Sequence, residues 1–322
     1  MTWRAIEVVR GEQPQVREFD DAALMPGDVT IDVAYSSLNY KDALALGGRP
    51  GIVAVDRLIA GIDLVGVVAA SDSPDWSVGD RVLVNGGGLS GDHHGGLAQR
   101  ARVPADWLVR VPDRFSLAQA AAVGTAGYTA QLAVLALESA EVDGTVLVTG
   151  ASGGVGSIAI SLLAASGFTV AALTGSPDHA DVLRELGAAE IVDRAELEQP
   201  GPPMQSQRWG AAVDNAGGTI LANVLAQLRY GGTVASCGNA ASVELPTTVL
   251  PFILRAVTLA GINSVDTPRP LRLRAWERLD RDLDLAVLDG MTRTVGLHDA
   301  IAASDELLAG NGRGRIVVDV HG

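Results

Sequence analysis

The stretch SSLNYKDALAL, residues 36–46, places the only lysine of the chain beside a tyrosine. All the other basic residues, out of 24, are arginine. Lysine carries a compact ammonium that can lose its proton when buried, whereas the arginine fork stays charged. A tyrosine hydroxyl, with a pKa near ~10, keeps its proton at pH 7 and can donate it to a carbanion-like base. Tyr40 and Lys41 are therefore our candidate catalytic residues.

Two interpretations of Lys41 stand at this point. In one, an ion pair made by Lys41 fixes the turn that carries Tyr40. In the other, its ammonium lies beside a substrate carbonyl oxygen or a cofactor. Neighbouring side chains of an extended segment point in different directions, which favours the first interpretation slightly. Asp42 is predicted to cap a short helix over ALALGG, and Asn39 to satisfy backbone groups of the turn.

A second motif is the glycine-rich stretch VLVTGASGGVGS, residues 146–157. It predicts a buried strand, a tight turn and the start of a helix. Glycines at positions 150, 153, 154 and 156 let the backbone turn sharply and approach a pyrophosphate closely. The free N–H groups and positive dipole end of the next helix favour that anion. The motif lies among alternating strands and helices, which is the context it requires, so we predict a dinucleotide site.

The end of the next strand distinguishes NAD from NADP. NAD recognition uses an acid there, whereas this chain has Thr174, Gly175 and Ser176. Hydroxyl groups and an exposed glycine amide can hold a 2′-phosphate, and no carboxylate opposes it. Arg194, after the third strand, is a candidate for the positive charge; the alternative is that it is an ordinary solvated arginine. We predict NADPH.

The secondary-structure elements that must position these residues follow two different sequence patterns. Residues 1–122 show short alternating strands bounded by Gly, Pro and Asp, which predict a β-rich domain. From the helical pattern LAQAAAVGTAGYTAQLAVLALE onward, apolar strands alternate with helices, which predicts a parallel sheet in a nucleotide domain over 123–263. The tail, 264–322, is predicted to contain one helix and a closing strand and to complete the first domain. The fold class is α/β.

Composition excludes several function classes. The formal net charge is −14, so nucleic acid and anionic membranes would repel this surface. The single cysteine, Cys237, allows neither an internal disulfide nor a cysteine zinc cluster. The N-terminus lacks the apolar core of a secretory signal, and no long uncharged apolar run predicts a membrane span. We expect a cytoplasmic protein that acts on a small molecule.

Several stretches together resemble a known family. They are LNYKDALAL, GIDLVGVV, GTAGYTAQL, VTGASGGVGS and LPTTVLPFILRAVTLAGINSV. They resemble the medium-chain dehydrogenase/reductase superfamily, quinone oxidoreductase branch, and within it the NADPH-dependent acrylyl-CoA reductases. The resemblance implies a Rossmann domain inserted into a GroES-like catalytic domain, and a homodimer. The cofactor-binding residues that we assign with it are Tyr40, Ser152, Gly153, Gly154, Val155, Thr174, Gly175, Ser176, Arg194, Leu245, Ile262 and Arg315.

The chain departs from its relatives at two places. The resemblance implies an arginine where Ser176 stands, so its loss predicts weaker binding of the 2′-phosphate. Alcohol dehydrogenases of the superfamily hold a catalytic zinc, but the corresponding stretches here, residues 39–42 and 61–63, contain no thiol or imidazole. We expect no metal. The adjacent His93 and His94 are expected in a structural loop or in the wall of the substrate cleft rather than on a metal.

Three functions remain open from the sequence. The first is NADPH-dependent reduction of an activated C=C bond, of acrylyl-CoA to propanoyl-CoA. The second is reduction of a small hydrophobic quinone or enone. The third is a non-catalytic NADPH-binding protein, since fold alone does not determine function. Under the first two, hydrogen-bond donors must stabilise charge on the carbonyl oxygen, and Tyr40 is the candidate that protonates the α-carbon or orients the substrate.

Overall fold

The computed structural model describes residues 2–140, 143–310 and 312–322. The chain divides into two compact units. Unit 1 contains Met1–Tyr128, Ser264–Asp280 and Leu288–Gly322, and unit 2 contains Thr129–Asn263 and Arg281–Val287. The predicted α/β class, with a parallel sheet encoded between two segments of a β-rich domain, is confirmed.

Unit 1 is built from two sheets. A three-stranded sheet has the order β2-β1-β4 and a seven-stranded sheet has the order β15-β16-β3-β5-β6-β8, with β7 also paired to β3. Alternating apolar residues of these strands form one large core. The strands are β1 Trp3–Val9, β2 Gln15–Phe19, β3 Val29–Leu38, β4 Arg57–Ile59, β5 Asp63–Ser71, β6 Arg81–Asn85, β7 Arg100–Val103, β8 Val109–Arg110, β15 Thr292–Gly296 and β16 Arg315–Asp319.

Unit 2 is a doubly wound parallel sheet. Its six strands pair in the order β11-β10-β9-β12-β13-β14, every pair parallel, which is the 3-2-1-4-5-6 order of dinucleotide-binding sheets. The central strands are apolar on both faces because helices cover both. The strands are β9 Val146–Val148, β10 Val170–Thr174, β11 Ala188–Asp193, β12 Trp209–Asp214, β13 Leu228–Ser236 and β14 Thr258–Gly261.

The α-helices of the described residues complete the two units. They are α1 Tyr40–Leu46, α2 Leu117–Glu138, α3 Gly154–Ala165, α4 Ala180–Glu185, α5 Ala195–Glu198, α6 Gly218–Gln227, α7 Leu250–Arg255, α8 Arg269–Asp282, α9 Leu285–Gly290 and α10 Ala300–Leu308. Short 3₁₀ helices occupy Asp21–Ala23, Ala105–Trp107 and Pro177–His179.

Helix α2 has the bounds that its apolar pattern predicts, and it is kinked. Gly124 has φ +48° and ψ −161°, a conformation outside the helical region that L side chains rarely adopt. By length and composition α2 could cross a membrane, but 89% of its apolar window is buried inside the protein. It is therefore a core helix.

The structure corrects the sequence prediction at the tail. Beyond α8 and the closing strand β16, the tail contains the helices α9 and α10 and the strand β15. These elements are short or rich in polar residues, so their periodicity is weak. Helix α1 also begins at Tyr40, three residues before the predicted start.

Candidate active site

The turn that carries Tyr40 and Lys41 joins the end of β3 to α1. Asn39 is the N-cap of α1, and the Asp42 carboxylate, one turn in, accepts the Asn39 backbone N–H at 2.9 Å. This reciprocal use of first-turn residues fixes the helix start. Tyr40, the first helical residue, is 45% exposed, and Lys41 is partly buried. The two candidate catalytic side chains thus begin a short helix whose base is buried.

Lys41 does not fix this turn through an ion pair. Among residues 2–140, 143–310 and 312–322, no carboxylate lies within 4.0 Å of its ammonium. The structural interpretation of Lys41 requires such a partner. The described residues therefore do not support the ion-pair interpretation, and the interpretation in which the ammonium faces a ligand stays a prediction.

The turn is held instead by a buried carboxylate that the sequence analysis did not identify. Asp63, the first residue of β5, is fully buried. Its Oδ2 accepts hydrogen bonds from Ser37 Oγ and Asn39 Nδ2, both at 2.7 Å. Its Oδ1 accepts from Asn85 Nδ2 at 2.7 Å and from Thr125 Oγ1 at 2.6 Å. The sequence feature that could have identified Asp63 is an isolated acidic residue near the start of the apolar strand IDLVGVV.

Arg315 lies in the same buried cluster. Its Nε donates to the Ala122 carbonyl at 2.6 Å and its Nη2 to Ser37 Oγ at 2.9 Å. The sequence analysis assigned Arg315 to the cofactor. In the structure its guanidinium is enclosed in unit 1, and these contacts favour a structural role for it.

Burial controls the ionisation of the cluster. Burial, and then the nearby Asp63, raises the pKa of Asp42 to about 7, although N–H donors from Ile62 and Asn39 oppose the shift. Burial also lowers the pKa of Arg315, which the two carboxylates partly offset. The site therefore combines a buried carboxylate bonded on both oxygens, a buried guanidinium and a carboxyl group that titrates near neutral pH.

The glycine loop of unit 2 packs closely against the start of helix α3. Gly150, just after β9, has φ +59°. A Cβ on Gly156 would lie 2.3 Å from the Gly150 carbonyl oxygen, so only glycine permits this close packing of loop and helix. Gly153 is the N-cap of α3 and has no side chain to fill the turn. The loop thus leads directly into the N-terminus of a helix, whose free N–H groups favour a pyrophosphate.

The predicted 2′-phosphate residues lie together at the end of β10. Thr174 ends that strand, and Ser176 is the N-cap residue of the 3₁₀ helix that begins at Pro177. The Arg194 backbone N–H bonds to the Thr174 carbonyl at 2.9 Å. A Cβ on Gly175 would lie only 2.8 Å from Arg194 Cζ, so the guanidinium covers Gly175. Arg194 also pairs with Glu198 and keeps 56% of its side chain exposed.

The other predicted cofactor-binding residues of unit 2 lie in loops after its strands and in the first turn of α3. Ser152, Gly154 and Val155 lie in the glycine loop and the first turn of α3, and all are partly exposed. Ile262 follows β14, and its N–H bonds to the Ser236 carbonyl at 2.9 Å. The carboxyl ends of parallel strands meet at one edge, so these residues share an edge with Thr174. Leu245 lies in the loop after β13.

The histidine pair has structural partners. His93 Nε2 lies 3.2 Å from the Pro26 carbonyl oxygen, and His94 Nδ1 accepts the Ile59 N–H at 3.3 Å. Burial, and then the neighbouring His93, lowers the pKa of His94. Within the described residues, no three His, Cys, Asp or Glu side chains are grouped so as to hold a metal ion.

Two family models match the chain. The Alcohol dehydrogenase GroES-like domain matches residues 25–113, and the Zinc-binding dehydrogenase domain matches residues 154–281. Acrylyl-CoA reductase AcuI of Ruegeria pomeroyi is 46% identical over 313 residues, which cover 96% of this chain and 95% of that protein.

Two more relatives have solved structures. The yhdH oxidoreductase of Salmonella enterica, in complex with NADP, is 44% identical, with a TM-score of 0.96 over 99% of this chain and 100% of that one. YhfP of Bacillus subtilis, named a putative quinone oxidoreductase, is 43% identical over 91% of each chain. Its structure with NAD bound gives a TM-score of 0.94 over 99% of this chain and 100% of that one.

Proposed function

The chain belongs to the medium-chain dehydrogenase/reductase superfamily, quinone oxidoreductase branch, and from this membership we propose that it reduces an activated C=C bond with NADPH. The substrate is acrylyl-CoA and the product is propanoyl-CoA. One hydride and one proton are added across the double bond, and NADPH becomes NADP⁺. The assignment of acrylyl-CoA as the substrate rests on the 46% identity, over 96% of this chain, to a protein named acrylyl-CoA reductase.

The unit 2 edge fits the cofactor. The pyrophosphate would be held by the N–H groups of the glycine loop, where a Cβ on Gly156 would block the packing. The 2′-phosphate would be held by Thr174, Ser176 and Arg194, whose guanidinium also pairs with Glu198. When bound, the nicotinamide supplies the hydride.

The unit 1 turn supplies the remaining chemistry. Tyr40 Oη, exposed at the start of α1, donates the proton to the α-carbon or orients the substrate through the same hydroxyl. The Lys41 ammonium, which has no carboxylate partner in the described residues, stabilises the negative charge that develops on the thioester oxygen. Hydride addition makes that oxygen enolate-like, so stabilisation there lowers the barrier.

We propose that catalysis needs no zinc. The donors at positions 39–42 and 61–63 are an amide, a phenol, an ammonium and two carboxylates. Hydrogen bonds from N–H and O–H donors already surround both carboxylates. Zinc prefers thiolate and imidazole ligands, and this set offers neither. Metal analysis of chelator-washed protein tests the proposal; one zinc per chain would refute it.

The decisive experiment is a comparison of substrates. NADPH oxidation is followed with acrylyl-CoA, crotonyl-CoA and a simple quinone, side by side. We expect the highest kcat/KM with acrylyl-CoA. A higher kcat/KM with the quinone than with acrylyl-CoA would favour the second candidate function. The identity to the putative quinone oxidoreductase YhfP supports that function. NADPH binding without turnover of any of the three would favour a non-catalytic role.

We also propose a cytoplasmic homodimer. Strand β14 is an edge of the unit 2 sheet, and in the described residues it pairs only with β13. Beside it in sequence, Ile253 and Leu254 of α7 are largely exposed. An apolar strand edge of this kind favours pairing with a second copy. Light scattering of Ile253→Asp, with Val78→Asp in unit 1 as the control, tests the interface: only Ile253→Asp should yield monomers.

A further inference from the structure

Asp63 has more partners than a structural acid in a strand needs. Four neighbouring groups donate to its carboxylate from side chains, and the Thr125 backbone N–H lies 3.0 Å from Oδ1 and 2.9 Å from Oδ2. Donors to both oxygens leave the carboxylate little freedom to rotate. The bonds therefore hold the Asp63 side chain in one orientation.

These bonds join three separate segments of unit 1. Asn39 belongs to the turn before Tyr40, Asn85 ends β6, and Thr125 follows the kink in α2. The kink is what frees the Thr125 N–H, because it interrupts the helical hydrogen bonds. At Gly124 a Cβ would lie 2.6 Å from Ser37 Oγ and 2.7 Å from Asp63 Oδ2. Helix α2 is thus bent around the carboxylate.

Arg315 balances the charge through a shared hydroxyl. Ser37 Oγ donates to Asp63 Oδ2 and accepts from Arg315 Nη2. One Asn39 amide group bonds to both carboxylates, with Nδ2 at 2.7 Å from Asp63 and 3.1 Å from Asp42. Asn39, the residue directly before Tyr40, thus bonds directly to Asp63.

We propose that Asp63 is a positioning residue that holds the Tyr40–Lys41 turn in its reactive geometry through Asn39. Within the described residues, Asp63 forms no hydrogen bond or ion pair with either side chain of the pair, so it acts through the backbone of the turn. Its effect on turnover rests on the function proposed above, whereas its effect on the turn itself does not. A misplacement of the order of ~1 Å at a catalytic group can lower a rate by about 10²-fold.

The test variant is Asp63→Asn, which keeps the shape of the side chain. It replaces one carboxylate oxygen, an acceptor, by an amide NH₂ group that faces the hydrogen-bond donors around position 63. We expect folded protein in which kcat is lower by roughly 10- to 100-fold, with the KM for the enoyl-CoA and the Kd of NADPH changed less than about threefold. Ser37→Ala is a milder variant that removes one bond and the link to Arg315. The matched control is Glu7→Gln, which removes another buried, ion-paired carboxylate of unit 1, on β1, and should leave kcat unchanged.

Two measurements separate positioning from general destabilisation. The double variant Asp63→Asn/Tyr40→Phe should lose less turnover than the two single losses combined predict. The reason is that the Tyr40 hydroxyl contributes little once the turn is displaced. Hydrogen exchange over residues 40–46 should become at least about tenfold faster in Asp63→Asn and stay unchanged in Glu7→Gln. Additive losses or unchanged exchange would overturn the proposal. If the wild-type enzyme reduced no enone, the proposed function would fail, and the exchange rates would still decide the positioning role.

Discussion

Tyr40 is exposed at the first residue of α1, while Asn39 and Asp42, which hold the turn, are buried. Replacing Tyr40 by Phe removes one hydroxyl and keeps the ring. If the hydroxyl donates a proton or orients the substrate, turnover should fall by roughly 10²- to 10⁴-fold. The Kd of NADPH, measured by fluorescence titration, should change far less.

The matched control for Tyr40→Phe is Tyr230→Phe, because Tyr230 is 76% exposed and lies in unit 2. It should leave turnover unchanged. Near-full activity of Tyr40→Phe would assign the proton to water or to another hydroxyl.

Lys41 can be tested by a change that keeps its charge. Lys41→Arg places a larger planar fork where a compact ammonium stands. No carboxylate in the described residues pairs with Lys41, so we expect the variant to fold with an unchanged melting temperature and to lose turnover by about tenfold or more. An active Lys41→Arg enzyme would restore the purely structural interpretation.

At the scale of elements, the proposed choice of cofactor rests on residues at the ends of β10 and β11. The Arg194 guanidinium covers Gly175, and Ser176 caps the next helical turn. Ser176→Asp puts a carboxylate beside the 2′-phosphate, so repulsion should erase or reverse the preference for NADPH over NADH. Dissociation constants of both cofactors, from titration calorimetry, measure the change.

A second variant separates charge from shape at the same edge. Arg194→Gln should weaken NADPH binding by roughly tenfold, or about 1.4 kcal/mol, and leave NADH binding nearly unchanged. Arg184→Gln, which removes an exposed and ion-paired arginine of α4, is the control. Equal wild-type affinities for the two cofactors would refute the NADPH assignment.

At the scale of the whole molecule, the raised pKa of Asp42 makes stability depend on pH. The folded-state pKa, about 7, lies above the ordinary aspartate value of 3.8, so the folded protein binds this proton more tightly than the unfolded chain does. The stabilisation is complete below the unfolded pKa and is lost as the pH rises toward 7. The free energy of unfolding should therefore fall by about 1.4 kcal/mol per pH unit between pH 5 and 7 from this group.

Urea unfolding between pH 5 and 8.5 measures this dependence. Four of the five tryptophans, Trp3, Trp76, Trp107 and Trp276, lie in unit 1, so their fluorescence reports mainly on the unit that contains Asp42. Asp42→Asn carries no charge at any pH and should show a flatter curve. Parallel curves for the wild type and the variant would contradict the assignment of the proton to Asp42.

Local patterns determined much of this protein from sequence. Continuous apolar runs and regular alternation predicted the parallel sheet of unit 2, because a strand covered on both faces must be apolar throughout. Glycine spacing predicted the loop before α3, and the apolar pattern predicted α2 with the bounds that the structure has. The Tyr40–Lys41 pair was found because one lysine among arginines is visible in the sequence itself.

Only the tertiary structure decided what holds that pair. The Asp63 carboxylate meets Asn39 across 24 residues and Thr125 across 62, and Ser37 meets Arg315 across 278. No window of sequence contains both partners of any of these bonds, so no periodicity or cap signal reveals them. Whether Lys41 forms an ion pair likewise depends on residues that the fold brings near it and that are distant in sequence. Charge and hydrogen bonding of a buried side chain depend on what the fold brings beside it, and propensity describes only residues that are already adjacent in the chain.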